Sequence, residues 1–284
     1  MNIGAHISAA GGAPNAAINA NKHGCECYQF FSRSPQGGKS PKLTKIILEE
    51  FSSNNKKFNL KNYYLHAPYY INLASSNNRI YHSSISILRE ELKRGTLLGA
   101  TGMMFHIGSA KDLGQSEAMK KVVKGVKEIL LGYTGTCQPL IEISAGAGLI
   151  IGDTFDEIAN IIKKTETAKT RDMLGICFDT AHAFESGYDL RDKISVNKTF
   201  NEFNKLIGLK RLKVIHANDS KTDLASHRDR HEHLGKGHIG KKGFEEIVAY
   251  FKKKKINMDF IMETPTGDGV IKDIKFMKKL RDNK

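Results

Sequence analysis

The sequence predicts an α/β protein, a single domain over residues 1–284 folded as a closed (β/α)8 barrel. Three observations carry this. Eight short apolar runs recur along the chain, amphipathic stretches of helical period lie between them, and no linker or low-complexity segment divides them. Strands alternating with helices imply a parallel sheet, and eight such strands close naturally into a barrel. A doubly wound open sheet is the structural alternative, and the absence of GxGxxG after the first strand argues against its dinucleotide-binding version.

Taken in order, the strands are NIGAHIS (2–8), CECYQFF (25–31), NYYLHAP (62–68), GMMFHIG (102–108), PLIEIS (139–144), LGICFDT (174–180), LKVIHAN (212–218) and DFIMET (259–264). Each is a short apolar run that ends in a polar residue. Helical periodicity is visible at Thr44–Phe51, Ile80–Leu98, Glu117–Leu131, Thr154–Lys164, Lys198–Ile207 and Gly243–Lys254. The interval 218–259 also holds DSKTDLASHRDRHEHLGKGHIGKKG, too polar and glycine-rich for a core segment.

Composition narrows the function classes. Lys and Arg number 44 against 30 Asp and Glu, a formal charge of +14. Such an excess favours a polyanionic partner such as nucleic acid. An A/T-rich coding sequence is the bland source of the same lysines. No run approaches the ~20 apolar residues of a membrane helix. MNIGAHISAAGG lacks the basic start and apolar core of a secretion signal, so the expectation is a non-secreted, non-membrane protein. The four cysteines, Cys25, Cys27, Cys137 and Cys177, form no CxxC pair and read as buried free thiols.

The strand ends carry the chemistry. Strand three ends at His66, four at His106, five at Glu142, six at Asp179 with His182 three residues on, seven at His216 and eight at Glu263. In a barrel all these ends meet at one mouth. Imidazole and carboxylate are the ligands that zinc takes when thiolates are absent. Asp229 and His231, in the triplet DRH, bring the set to nine, too many for one ion. A carboxylate bridging two ions and a separate third ion would absorb them. Taken singly, each has a bland reading; Asp179, for instance, suits the cap of a following helix. Taken together, an uncompensated cluster of this kind would carry a large desolvation and repulsion cost. His6 reads as a residue that orients a neighbouring ligand. His23, His82 and His227 read as surface or loop. For His233 and His238 substrate contact and simple exposure stay open. Ser8, Ser109 and Ser144 end strands without a Ser-His-acid order.

These residues sit within segments that resemble a known family. IGAHISAAGG, FFSRSP, LHAPYYINLA, FHIGS, IEISAGAG, CFDTAHAFESGYDLR, IHANDSK, SHRDRHEHLGKGHIG and MET look like endonuclease IV, the bacterial-type apurinic/apyrimidinic (AP) endonuclease, in register over essentially the whole chain. The resemblance implies a (β/α)8 TIM barrel with its active site at the C-terminal face of the strands and three zinc ions, manganese being accepted at one site. His66 and His106 would hold the first ion and Glu142 would bridge to the second, shared with Asp179, His216 and Glu263. His182, Asp229 and His231 would hold the third. Glu142 and Glu263 would be the catalytic carboxylates, the latter orienting or deprotonating the nucleophile.

The implied reaction, a step of base excision repair, hydrolyses the phosphodiester 5′ to an abasic site, leaving a 3′ hydroxyl and a 5′ deoxyribose phosphate. Cleaning of blocked 3′ ends by 3′-phosphodiesterase and 3′-phosphatase action, and 3′-5′ exonuclease action, belong to the same chemistry. The implied partner is double-stranded DNA, met by a monomer in an intracellular setting: a bacterial cytoplasm, or a host cell or virion for a viral chain. DNA contacts would come from Arg33 in the 33–39 loop, from Tyr69 as the intercalating aromatic, and from Tyr70 and Arg230. Tyr70 stands where an aliphatic wedge is common, and RSPQGGKSP departs from the family's usual loop. The rival reading is a metal-dependent sugar isomerase on the same barrel. A DNA-binding barrel with inert metals is the non-enzymatic one.

Overall fold

A computed structural model describes residues 1–283. Eight parallel strands form a closed barrel: β1 (Asn2–His6), β2 (Cys27–Phe30), β3 (Asn62–His66), β4 (Gly102–Phe105), β5 (Gln138–Glu142), β6 (Gly175–Asp179), β7 (Leu212–His216) and, after a small hairpin of β8 (Asp219–Ser220) and β9 (His231–Glu232), β10 (Asp259–Met262). β10 closes the ring by pairing with both β1 and β7. The barrel is as the apolar runs predict, with each observed strand lying inside or within a residue of its run.

The six predicted helical stretches correspond to α2 (Lys45–Lys57), α3 (Asn78–Leu98), α4 (Gln115–Leu130), α5 (Phe155–Thr165), α7 (Lys193–Leu206) and α8 (Gly240–Lys253). Three further helices lie outside those stretches: α1 (Ala13–His23), the short α6 (Thr180–Glu185), whose cap at Asp179 the sequence suggests, and α9 (Asp268–Asp282). Helix starts follow capping chemistry. Thr44, Asn77, Thr154 and Asp192 each accept a backbone N–H of the first turn on the side-chain oxygen.

Strand alternation sorts the side chains. Outward residues such as Phe30, Leu65, Ile141, Phe178, Ile215 and Phe260 pack under the helices in one large core. Cys27, Tyr64, Met104, Leu140, Cys177, Val214 and Ile261 fill the barrel interior as a separate cluster. All four cysteines are buried free thiols, as expected. Gly4 is required by packing: a Cβ there would lie 1.6 Å from the Cys27 carbonyl oxygen.

Two residues beyond each interior residue along its strand, the same inward face reaches the C-terminal rim. Tyr64 leads to His66, Met104 to His106, Leu140 to Glu142, Cys177 to Asp179, Val214 to His216, Ile261 to Glu263, and Cys27 to Gln29. The fold thus sets these seven rim side chains around one axis. At the opposite end, Asp259 accepts hydrogen bonds from Asn2 Nδ2 (2.7 Å), Asn62 Nδ2 (2.6 Å) and the Tyr64 hydroxyl (2.7 Å).

Candidate metal centre

The rim residues fall into three groups. In the first, His66 Nε2 and His106 Nε2 lie 3.1 and 3.6 Å from Glu142 Oε2. In the second, His216 Nδ1 lies 2.9 Å from Glu142 Oε1, 3.1 Å from Glu263 Oε2 and 3.7 Å from Asp179 Oδ2. Glu142 therefore turns one oxygen to each group. In the third, His182 Nε2 and His231 Nε2 are 3.3 Å apart, and Asp229 Oδ1 stands 3.3 and 3.6 Å from them. Asp179 does two things at once. Its Oδ1 caps α6 at the His182 N–H, and its Oδ2 faces the centre.

Hydrogen bonding fixes the tautomers. His66 Nδ1 donates to the Ala67 carbonyl (2.6 Å), His182 Nδ1 to that of Ile143 (2.9 Å) and His231 Nδ1 to that of Glu263 (3.2 Å). In each neutral ring Nε2 then carries a lone pair aimed at the centre. These lone pairs face carboxylate oxygens or one another at 3.1–3.7 Å, and such contacts between neutral rings and carboxylates become favourable with a shared cation. With zinc bonds of about 2.0–2.2 Å, neighbouring ligand atoms of a tetrahedron stand about 3.3–3.6 Å apart, so the spacing fits such an ion. Sets of imidazole and carboxylate atoms within 4.8 Å of one another recur at the His66, His216 and His182 groups. Cys177 also comes close to Glu142 and His216, but burial pushes its thiol up to about 12 and keeps it protonated. The donors are nitrogen and oxygen, and they can hold divalent cations.

The field agrees with that use. Burial alone would raise the Glu142 carboxyl, yet positive charge on His106, His216 and His66 holds it well below the usual carboxylate range, a part that a bound cation would take over from neutral rings. Burial likewise opposes ionisation of Glu263, and the same kind of positive charge, on His216, His6 and His66, overcomes it. Both carboxyls are ionised and ready to ligate.

The centre opens into a pocket of ≈ 390 Å³ lined by Phe31, His66, Tyr69, His231 and Thr266 among others. A second pocket of ≈ 440 Å³, with Tyr70, Asn72, Ser109 and Ser144, lies alongside it, and Tyr69, His106, His182 and Asp229 border both. Tyr69 is 63% exposed and meets Phe31 edge-on. Tyr70 is 38% exposed, and Arg230 points from the exposed 228–230 segment.

Arg33 departs from expectation. Expected at the DNA surface, it is 7% exposed, and its guanidinium is paired with Glu90 (2.6 Å) and the fully buried Glu91 (2.9 Å) of α3. Arg94 joins them, donating to the Ser32 hydroxyl and to the carbonyls of Ser32 and Pro41. Arg33 thus anchors its loop from below, and its partners sit far along the chain on another element. His233, left open, is bound to Asp273 (2.7 Å), whereas His238 pairs with Asp223 at the surface.

Two neutral residues were missed. Asn218 Nδ2 donates to Asp179 Oδ2 (2.6 Å), and its Oδ1 accepts the Glu263 N–H (2.7 Å). Gln29 is fully buried beside His6, His216 and Glu263. The inward register that starts at Cys27 was the available signal for it.

Comparison with known proteins gives this geometry its setting. The family profile described as xylose isomerase-like TIM barrel matches residues 18–280. The probable endonuclease 4 of Halothermothrix orenii is 36% identical over 281 residues, covering 99% of each chain. The crystal structure of endonuclease IV from Thermus thermophilus superposes with a TM-score of 0.86 at 27% identity, covering 99% of this chain and 98% of that one. A D-tagatose 3-epimerase-like protein shares the fold with a TM-score of 0.77 at 18% identity over 99% of this chain and 97% of that one. With a full-length match above 30% identity and a family profile covering nearly all of it, this chain belongs to the endonuclease IV family of xylose isomerase-like TIM barrels.

Proposed function

We propose that the protein is a zinc-dependent AP endonuclease that hydrolyses the phosphodiester 5′ to abasic sites in double-stranded DNA, leaving a 3′ hydroxyl and a 5′ deoxyribose phosphate. One observation carries the reading: tautomer-fixed imidazole lone pairs converge with four carboxylates in three groups spaced for three ions. His66 and His106 would hold the first ion, Asp179, His216 and Glu263 the second, with Glu142 between them, and His182, Asp229 and His231 the third. Four carboxylates against three divalent ions leave a net positive site that suits a phosphodiester. When bound, the ions polarise that phosphodiester and lower the pKa of water between them.

The chain's own groups supply the rest. Glu142 holds the two halves of the centre at a fixed separation through its two oxygens. Glu263 takes and orients the proton of the attacking water, whose oxygen displaces the 3′ oxygen from phosphorus in line. Tyr69 and Tyr70 stand exposed at the mouth to fill the gap left by an extruded sugar, and extrusion is cheapest where no base is paired. Arg230 meets a backbone phosphate, with Arg33 bracing the neighbouring loop. Removal of blocked 3′ ends uses the same site. The protein acts as an intracellular monomer, and the net charge of +14 draws it to DNA.

The test is incision of a duplex bearing one tetrahydrofuran abasic analogue, with metal analysis on the same preparation. Three zincs per chain and a nick 5′ to the analogue are expected. An intact duplex, or two magnesium or manganese ions with activity on a ketose instead, overturns the reading in favour of a sugar isomerase.

A further inference from the structure

We propose that Gln29, a residue that ligates nothing, is a positioning residue that sets the tautomer of His216 and the orientation of Glu263, and so builds the middle of the centre. The inference rests on the metal-centre reading above.

The geometry leaves one arrangement of protons. Gln29 is fully buried at the inward face of β2. One of its amide atoms lies 2.7 Å from Glu263 Oε1 and 2.8 Å from His6 Nδ1, and the other lies 2.7 Å from His216 Nε2. A carbonyl oxygen cannot sit 2.7 Å from an ionised carboxylate oxygen without repulsion, so the atom facing Glu263 is the NH2 group. Its two hydrogens serve Glu263 and His6. The carbonyl oxygen therefore faces His216 Nε2, which must donate. In the metal-bound, neutral ring the His216 proton then resides on Nε2, and Nδ1 presents its lone pair toward the side of Glu142, Glu263 and Asp179.

His216 is the ring that needs such help. His66, His182 and His231 place their spare proton on a backbone carbonyl and turn Nε2 inward. His216 is reversed, with Nδ1 inward, and its spare nitrogen points across the barrel to β2, where a side chain must receive it. A carboxamide is suited to that place. It accepts from the imidazole and donates to the carboxylate at once, and it adds no charge. A lysine would repel the ions, and a carboxylate would repel Glu263.

Two measurements test this. In the zinc-loaded wild type, long-range 1H–15N spectra of the His216 ring should show a protonated Nε2 and a metal-type Nδ1; a ring protonated at Nδ1 overturns the proposal. In Gln29→Met, which keeps the volume and loses the bonds, competition with a chromogenic chelator should show one ion weakened about 10–100-fold while the ion of the His182 group keeps its affinity. Equal weakening of every ion marks a merely structural role, and unchanged binding of all ions marks none; both overturn it. A wild type that binds three zincs but leaves the abasic duplex intact refutes the proposed activity and leaves the role of Gln29 standing.

Discussion

β10 has a carboxylate at its start and another just past its end, and the two are held in opposite ways. Asp259, at the start, receives three hydrogen bonds from neutral donors, and no lone pair faces it unpaired. Glu263, just past the end, faces a His216 nitrogen that on the tautomer proposed above has no proton to give, beside Glu142 and Asp179 in the same condition. One strand in one barrel thus joins a polar cluster that is complete by itself to one that is complete only with cations. Counting donors against acceptors separates a structural carboxylate from a working one more sharply than burial does, since Asp259 and Glu142 are both buried.

The largest effect that sharpens this contrast is expected at Glu142. Glu142→Gln removes one of the two oxygens shared by the first two groups, and abasic incision should fall by about three orders of magnitude, equivalent to roughly 4 kcal/mol of barrier. Zinc content should drop toward the single ion of the His182 group. Incision at the wild-type rate would break the contrast at its centre.

Next comes removal of metal. Exhaustive chelation should lower thermal stability by about 4 kcal/mol or more at metal concentrations near a thousand times Kd, read as a fall in Tm that zinc restores. A Tm indifferent to chelation would mean that the upper cluster is as self-sufficient as the lower.

Asp259→Ala should do the reverse. It leaves Asn2, Asn62 and Tyr64 without their acceptor, with a loss of about 1–3 kcal/mol in denaturant unfolding. Metal content and incision at about 25 °C should not change. Lost zinc in this variant would show that the two ends are coupled through the barrel.

The smallest effect separates two arginines. Arg230→Ala should weaken duplex binding and reduce the slope of log K against log salt by about one. Arg33→Ala should leave that slope alone and loosen the loop held by Glu90 and Glu91, seen as faster amide exchange over residues 32–41. The opposite pattern would return Arg33 to the DNA surface.

The barrel and the convergence of charged side chains at its rim were legible because both follow from local patterns. Apolar runs mark strands, and the residue that ends each run marks the rim. The unpredicted helices lack that contrast: α1 is built on alanine and asparagine, α6 has six residues, and α9 mixes lysine among few apolar positions. Gln29 and Asn218 were overlooked because a neutral carboxamide carries no charge signal, and its importance appears only when its neighbours from other strands are known. Arg33 was misplaced for the converse reason. Its charge was visible, but its partners lie 57 and 58 residues away in sequence, on α3.

The centre also reports on the order of folding. His66 and Glu142 are 76 residues apart, His216 and Glu142 are 74 apart, and Gln29 and Glu263 are 234 apart. No short segment holds even one complete group of the first two. The ligands of the His216 group come from β5, β6, β7 and the end of β10, neighbours in the sheet, but Gln29, on β2, reaches them only when β10 has closed against β1. If Gln29 has the role proposed for it, metal binding there reaches its full affinity only in the finished barrel. A sheet left open between β1 and β10 can bring the ligands together but leaves His216 and Glu263 without Gln29. On that role, uptake of metal with native affinity is a certificate of topology, and a refolding assay that follows it reports ring closure.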